Sequence, residues 1–229
     1  MQPYLFPHIG YFQLIQAVDK FVFYDDVNYI KQGWINRNRI LGNDEDLVFT
    51  VPLKKASSFT FIKDTYINQE LYKAWRLKFM STIFFQYKKA PFFNQVMPLV
   101  ENVFNSNCVT ISELAKLSCM DVYNYLGMTT SIQISSTIYE NSDLKRADRV
   151  IDICKREDAT QYVNVSGGVE LYSKVEFNDC KLNLFFIKTS PITYQQFKSP
   201  FLAGLSIIDV LMFNDIDTIN QMLSQYELV

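Results

Sequence analysis

The chain has 229 residues, 48% of them hydrophobic and 15% aromatic, enough to bury a sizeable core in one large domain or two intimate lobes, and nothing in it suggests disorder. Charges nearly cancel at −2, so the whole-chain basic footprint that duplex binding needs is missing, and nucleic acid is not an expected partner. The four cysteines show no C-x-x-C spacing, and one histidine cannot build a multi-histidine metal site, so no metal centre is expected.

Pro3 to Phe6 reads as the end of a strand, and His8-Ile9-Gly10 as a turn. Tyr11, Leu14, Ile15 and Val18 then stand at i, i+3, i+4 and i+7, the apolar stripe of a short helix. Phe21 to Tyr24 is a continuous apolar run, as in a strand buried on both faces, and it ends at Asp25-Asp26. Strand, loop, helix, strand is a Rossmann-like β-α-β unit with parallel strands and a right-handed crossover. A helical pattern covers Tyr66 to about Lys88, with Leu71, Trp75, Phe79 and Ile83 at near-helical spacing; Pro91 and Pro98 punctuate the next stretch. Thr110-Ile111-Ser112-Glu113 has the form of a capping box, and the helix it opens stops at Gly127.

After a polar stretch at Ser135 to Asp143, Ala147, Val150, Ile151 and Cys154 mark one face of another helix. Gln161 to Val165 and Leu182 to Ile187 read as strands, with Ser166-Gly167-Gly168 a turn between them. Leu205 to Phe213 and Ile216 to Tyr226 read as helices, the second with Asp215 as N-cap. The alternation predicts an α/β fold with many helices: a single domain over 1–229, with a soft lobe boundary near residue 130. No run is apolar for long enough to span a bilayer, and no secretory signal opens the chain, so a cytoplasmic location is expected.

Candidate chemistry concentrates in Gln2 to Arg39. The helix start at Gly10-Tyr11 offers free N–H groups and a favourable dipole for phosphate, or is simply a connecting loop. Asp25 and Asp26 stand where ligands of open α/β sheets gather, and could orient an amine or take a proton; they could equally be a solvated turn. Lys31, Arg37 and Arg39 form a local positive patch. If 34–40 is extended, Arg37 and Arg39 share one face while Trp34, Asn36 and Asn38 share the other. Arginine forks suit phosphate, and a tryptophan ring suits a base or sugar; otherwise this is a salt-bridged surface strand. Gly167 and Gly168 could cradle a phosphate or merely turn the chain. Asp209, in an apolar helix, is either a hydrogen-bonded core carboxylate or a site residue.

Two blocks, QPYLFPHIGYFQLI and DKFVFYDDVNYIKQGWINRNRI, resemble the opening signature of the WbqC-like family. Tyr162, Gly167, Gly168, Tyr172, Phe177, Tyr194, Gln196 and Leu205-Ser206-Ile207-Ile208-Asp209 extend the likeness through the second half. The resemblance implies a role among O-antigen and capsule genes: transfer of an acyl or aminoacyl group, such as glycyl, to a nucleotide-linked amino sugar. It also directs attention to Gln2, His8, Tyr172, Tyr194 and Gln196 as site residues. Where family members carry a short apolar strand ahead of Gln-Pro, this chain starts at Met1-Gln2, so that strand is expected to be cut short. Asn214-Asp215-Ile216-Asp217 also replaces a Gly-Pro turn, and His8 is often another aromatic in the family. Pro-His-Ile-Gly-Tyr between strand and helix further has the outline of the HIGH-motif nucleotidylyl transferases, without their Lys-Met-Ser-Lys-Ser loop. That outline implies ATP as a possible cofactor, forming an acyl-adenylate that the sugar amine attacks, with Lys31 stabilising the acyl oxygen.

Overall fold

A computed structural model describes residues 1–43, 45–198 and 200–229. Its first parallel rung is one residue long. The Met1 nitrogen donates to Val22 O, and Met1 O accepts from the Tyr24 N–H. Pro3 to Phe6 forms no strand: Pro3 and Pro7 cannot donate to a ladder, and Phe6 takes φ +43°. The polar groups of this segment are satisfied elsewhere, the Phe6 N–H donating to Ser118 Oγ at 2.9 Å.

Helix α1 (Ile9–Gln16) leads into β1 (Lys20–Val22). The strand that pairs with β1 is β4 (Ser131–Gln133), parallel and in register Lys20↔Ser131. Its three residues, Ser131, Ile132 and Gln133, carry no apolar run, which is why the sequence pattern does not reveal it. Between them come the antiparallel hairpin β2 (Arg37–Leu41) and β3 (Asp46–Thr50), then α2 (Gln69–Tyr87), α3 (Phe93–Asn105) and α4 (Ile111–Tyr125). Helix α2 starts later than its pattern predicts, at the Asn68 cap. Its inward face is Tyr72, Phe79, Ile83 and Tyr87, while Leu71 is exposed. Pro98 lies inside α3, in its second turn, where it removes one ladder bond without ending the helix. The capping box at Thr110 and Glu113 is formed, and Gly127 takes φ +65° just past the α4 end.

The second half holds α5 (Arg146–Arg156), β5 (Gln161–Val165), α6 (Lys174–Asp179), β6 (Asn183–Thr189), α7 (Ile207–Phe213), α8 (Ile216–Leu223) and β7 (Tyr226–Leu228). Strands β5 and β6 are parallel and β7 is antiparallel to β6, so the predicted last helix ends early and its tail becomes a strand. Ser166–Leu171 is a short 3-10 helix rather than a simple turn. The fold is therefore mixed α/β with two small parallel units. A large hydrophobic core joins α1, β1, β2, α3, α4 and α7, and a smaller one gathers Val150, Ile151, Phe177 and Leu184. Among the described residues no helix is long and apolar enough to cross a membrane, and no three or more His, Cys, Asp and Glu side chains are grouped as a metal site would need.

Candidate functional site

Helix α1 begins on its own histidine. His8 Nδ1 accepts the Gly10 N–H at 3.1 Å, and His8 O accepts the Tyr11 N–H at 3.0 Å. The N-terminus is thus already partly capped and is less open to phosphate than its sequence implies. A side chain at Gly10 would place its Cβ 2.7 Å from His8 Cε1 and 3.2 Å from Thr189 Cγ2. Glycine lets the imidazole fold over the helix start while the end of β6 approaches from the other side. Because Nδ1 accepts, neutral His8 carries its proton on Nε2 and offers a donor, not a base. The surrounding protein and the charge of Arg39 push its pKa below the usual histidine value.

The Asn-Arg segment meets this turn. Asn36 and Asn38 face inward as the alternation predicts, and both are structural ties. Asn36 accepts from Tyr29 Oη at 2.7 Å and donates to Val51 O; Asn38 Nδ2 donates to the carbonyls of Leu5 and Phe6. Trp34 does not join them. Its ring lies against the arginines instead, 5.2 Å from the Arg37 guanidinium carbon and 5.8 Å from that of Arg39. Arg39 is fastened to Asp46 at 3.2 Å and to Gly204 O at 3.0 Å. No described residue accepts a hydrogen bond from Arg37, and Nε of both arginines is buried without a partner. Lys31 is exposed in the preceding loop.

Between α1 and the stretch after β6 lies a cavity of about 210 Å³. His8, Gly10 and Gln13 form one wall; Thr189, Ile192, Tyr194, Phe201, Gly204 and Leu205 form the others. Arg39 reaches its rim through Gly204. Tyr194 lines the cavity and Gln196 does not, and both are tied to Asp209. Asp209 accepts from Tyr87 at 2.8 Å, Tyr194 at 2.6 Å and Gln196 at 2.7 Å, fully buried. Burial raises the Asp209 pKa against the pull of these three donors. A second recess, about 470 Å³, opens at the start of α2 beside Lys54, Tyr66 and Asn68 and contains none of the residues singled out from the sequence.

Asp25 and Asp26 stand at the carboxyl end of β1, as expected, but they are buried and enclosed by partners. Asp25 accepts from Ser135 at 2.7 Å, Lys116 at 2.8 Å and Ser112 at 3.2 Å. Asp26 accepts from Ser136 Oγ and from Arg149 at 2.6 Å; Arg149 in turn donates to Asn141 and lies over the Tyr24 ring. None of these partners lines the cavity. The glycine turn and Arg39 come together, and the acidic strand end forms a separate cluster. Arg149 is legible in principle, as a cation inside the apolar face of α5.

The remaining candidates lie off the cavity. Tyr11 is in the core, its hydroxyl donating to Gln2 O at 2.8 Å. Tyr172 packs on Tyr162 and Phe177. Gly168 sits against Asn164, where a Cβ would come within 2.6 Å of its amide, whereas Gly167 faces open space.

Fold and site define a mixed α/β protein with a histidine-capped helix opening on a small cavity, and with Arg39 joined to that cavity through Gly204. The chain belongs to the WbqC-like protein family, whose model matches residues 2–221. It is also 28% identical over 211 residues to the uncharacterized protein Rv1507c of Mycobacterium tuberculosis, covering 91% of this chain and 89% of that one. No solved structure matches it.

Proposed function

We propose that the chain is an enzyme of bacterial surface-polysaccharide biosynthesis that transfers an acyl or aminoacyl group to the amine of a nucleotide-linked amino sugar. The observation that carries this reading is the cavity lined by His8 and Gly204, with Arg39 held on the Gly204 carbonyl and the Trp34 ring against Arg39 and Arg37. Guanidinium groups and an imidazole N–H suit a diphosphate, and the indole face suits a base or sugar ring. At about 210 Å³ the cavity is below the ~300–1,000 Å³ of pockets for drug-sized ligands, which favours one sugar ring inside with the nucleotide left at the mouth.

The chemistry asks little of a protein base. A neutral amine attacks an activated carbonyl directly once it is desolvated and oriented, and the proton it then loses passes to water or to the leaving group. Activation by ATP would give an acyl-adenylate and pyrophosphate; the amine would then displace AMP. Incubation with ATP, glycine and a dTDP- or UDP-linked amino sugar tests this. Formation of the N-acylated sugar nucleotide supports it, and hydroxylamine trapping with pyrophosphate release tests the ATP step separately.

One observation favours a second reading. Asp25 and Asp26 are enclosed by partners, and His8 Nδ1 accepts from Gly10, so among the described residues no free base lines the cavity. A sugar-nucleotide-binding partner of a glycosyltransferase needs none. Binding without turnover on any acyl donor would select that reading.

A further inference from the structure

Helix α2 is apolar on both of its faces. Tyr72, Phe79, Ile83 and Tyr87 point into the core, as the fold requires. At about 100° per residue, Leu77, Ser81, Phe84 and Phe85 share the opposite side. There Leu77 is 59% exposed, Phe84 44% and Phe85 67%. The two phenylalanine rings meet edge to face with centroids 5.6 Å apart, and Lys88 Nζ lies 5.6 and 5.2 Å from those centroids. Large apolar side chains left together in solvent mark a contact surface.

The charge pattern says what that surface meets. Leu71 to Val100 contains Lys73, Arg76, Lys78, Lys88 and Lys89 and no aspartate or glutamate, in a chain with 24 acidic and 22 basic residues. Among the described residues none of these five cations forms a salt bridge. Lys73 and Lys78 are exposed and border the apolar strip on either side, and Lys88 closes its end. Glu70, in the first turn, is the one acid of the helix.

A second copy of the chain would set these lysines against their own kind, which disfavours self-association through this face. A membrane of anionic lipids offers both complements at once. Its headgroups supply negative charge, and the acyl boundary just beneath them takes the phenyl rings. Lysine stems lie along that boundary with their ammonium groups at headgroup level. A deformable bilayer accepts two splayed rings without a preformed groove, which an acidic protein would have to supply.

We propose that the exposed face of α2 docks on anionic phospholipid membranes, with Leu77, Phe84 and Phe85 at the acyl boundary and Lys73, Lys78 and Lys88 on the phosphates. The helix lies along the bilayer, since no helix among the described residues is long and apolar enough to cross it. The attachment is reversible, and it holds whatever the cavity beside α1 binds.

Co-sedimentation of the full chain with vesicles tests this. Binding to phosphatidylglycerol-containing vesicles is expected to exceed binding to pure phosphatidylcholine vesicles by about 10-fold or more, and to fade in high salt. Lys78→Glu with Lys88→Glu is expected to weaken it by about 25-fold or more, from about fivefold per lysine neutralised. Phe85→Ser is expected to weaken it by about 10-fold at every salt concentration. Val175→Ser, at a site 68% exposed on α6, is expected to leave it unchanged. All these positions are exposed, and circular dichroism should show the wild-type fold in each variant. Equal binding to the two vesicle types, or binding that survives both the charge reversal and Phe85→Ser, overturns the assignment. A dimer in sedimentation velocity that Phe85→Ser dissolves overturns it in favour of a second copy. Absence of binding to either vesicle overturns it and leaves an acidic protein as the occupant.

Discussion

Asp26→Ala is expected to unfold this protein more readily than almost any other single loss of a carboxylate. In the native chain Arg149 is 3% exposed, and its guanidinium meets Asp26 at 2.6 Å. Removing the carboxylate leaves a buried cation with Asn141, the Asp26 carbonyl and the Tyr24 face as its remaining partners. Breaking one side of a buried pair typically costs about 3–5 kcal/mol. For a chain of this size that corresponds to a fall in Tm of about 6–20 °C. Asp26→Leu with Arg149→Met removes both charges, so its loss should be well below the sum of the single losses. Urea and thermal denaturation followed by circular dichroism give all four corners of the cycle. If Asp26→Ala stays within about 1 kcal/mol of wild type, Asp26 is not the structural anchor its ties to Arg149 and Ser136 make it.

The same geometry has other consequences. His8, the chain's one histidine, should titrate below about 6.5 by NMR, because the protein packed around its ring and the Arg39 charge disfavour its charged form. The unfolded chain then takes up the proton first, so the His8 contribution is fully present above about pH 6.5 and is lost as pH falls toward the folded pKa. His8→Asn, which retains a capping oxygen, should flatten that part of the stability–pH curve. Asp209→Ala leaves Tyr87 and Tyr194 without their acceptor and Gln196 with Leu202 O alone, and should cost about 3 kcal/mol or more in chemical denaturation. Thr110→Ala removes the acceptor of the Glu113 N–H and should cost about 1 kcal/mol by the same assay.

Local signals in the sequence carry the fold well where one element explains itself. The Thr110–Glu113 capping box, the Gly127 stop and the apolar face of α5 are all written in short-range spacing, and the structure contains them. The hidden parts depend on distant partners. Strand β4 has only Ser131, Ile132 and Gln133, and it is a strand because β1 offers it a parallel edge. The tail Tyr226–Leu228 looks like the continuation of a helix until β6 pairs with it. Strict alternation assigns Trp34 to the asparagine face; it lies just outside β2, where the two-residue period does not hold, and so reaches the arginines.

The site is half legible for the same reason. Gly10, His8 and Arg39 can be suspected from residue type, but their meeting is made by Ser206, which donates to Phe6 O and accepts Ile208 N–H while its own N–H donates to Arg39 O. Gln13 escapes a sequence reading because a glutamine on a short amphipathic helix has no special signature. Its part as a tie from α1 to the end of α8 emerges only when the two carbonyl partners of Nε2 are known. For Asp25 and Asp26 the sequence is a sound guide to position and a misleading one to availability, since nothing local announces Lys116 and Arg149, 91 and 123 residues away.

The most direct test of the sugar-nucleotide reading is the affinity of a nucleotide-linked amino sugar for wild type and for Arg37→Ala. Arg37 is the better choice than Arg39 because Arg39 also ties Asp46 and Gly204. At 100 times its Kd the ligand should stabilise wild type by about 2.7 kcal/mol. Arg37→Ala should keep the wild-type Tm without ligand and bind about 10-fold more weakly or worse, as expected for a lost charge-assisted hydrogen bond. Equal affinity in the two proteins, or no binding to wild type, would contradict the account.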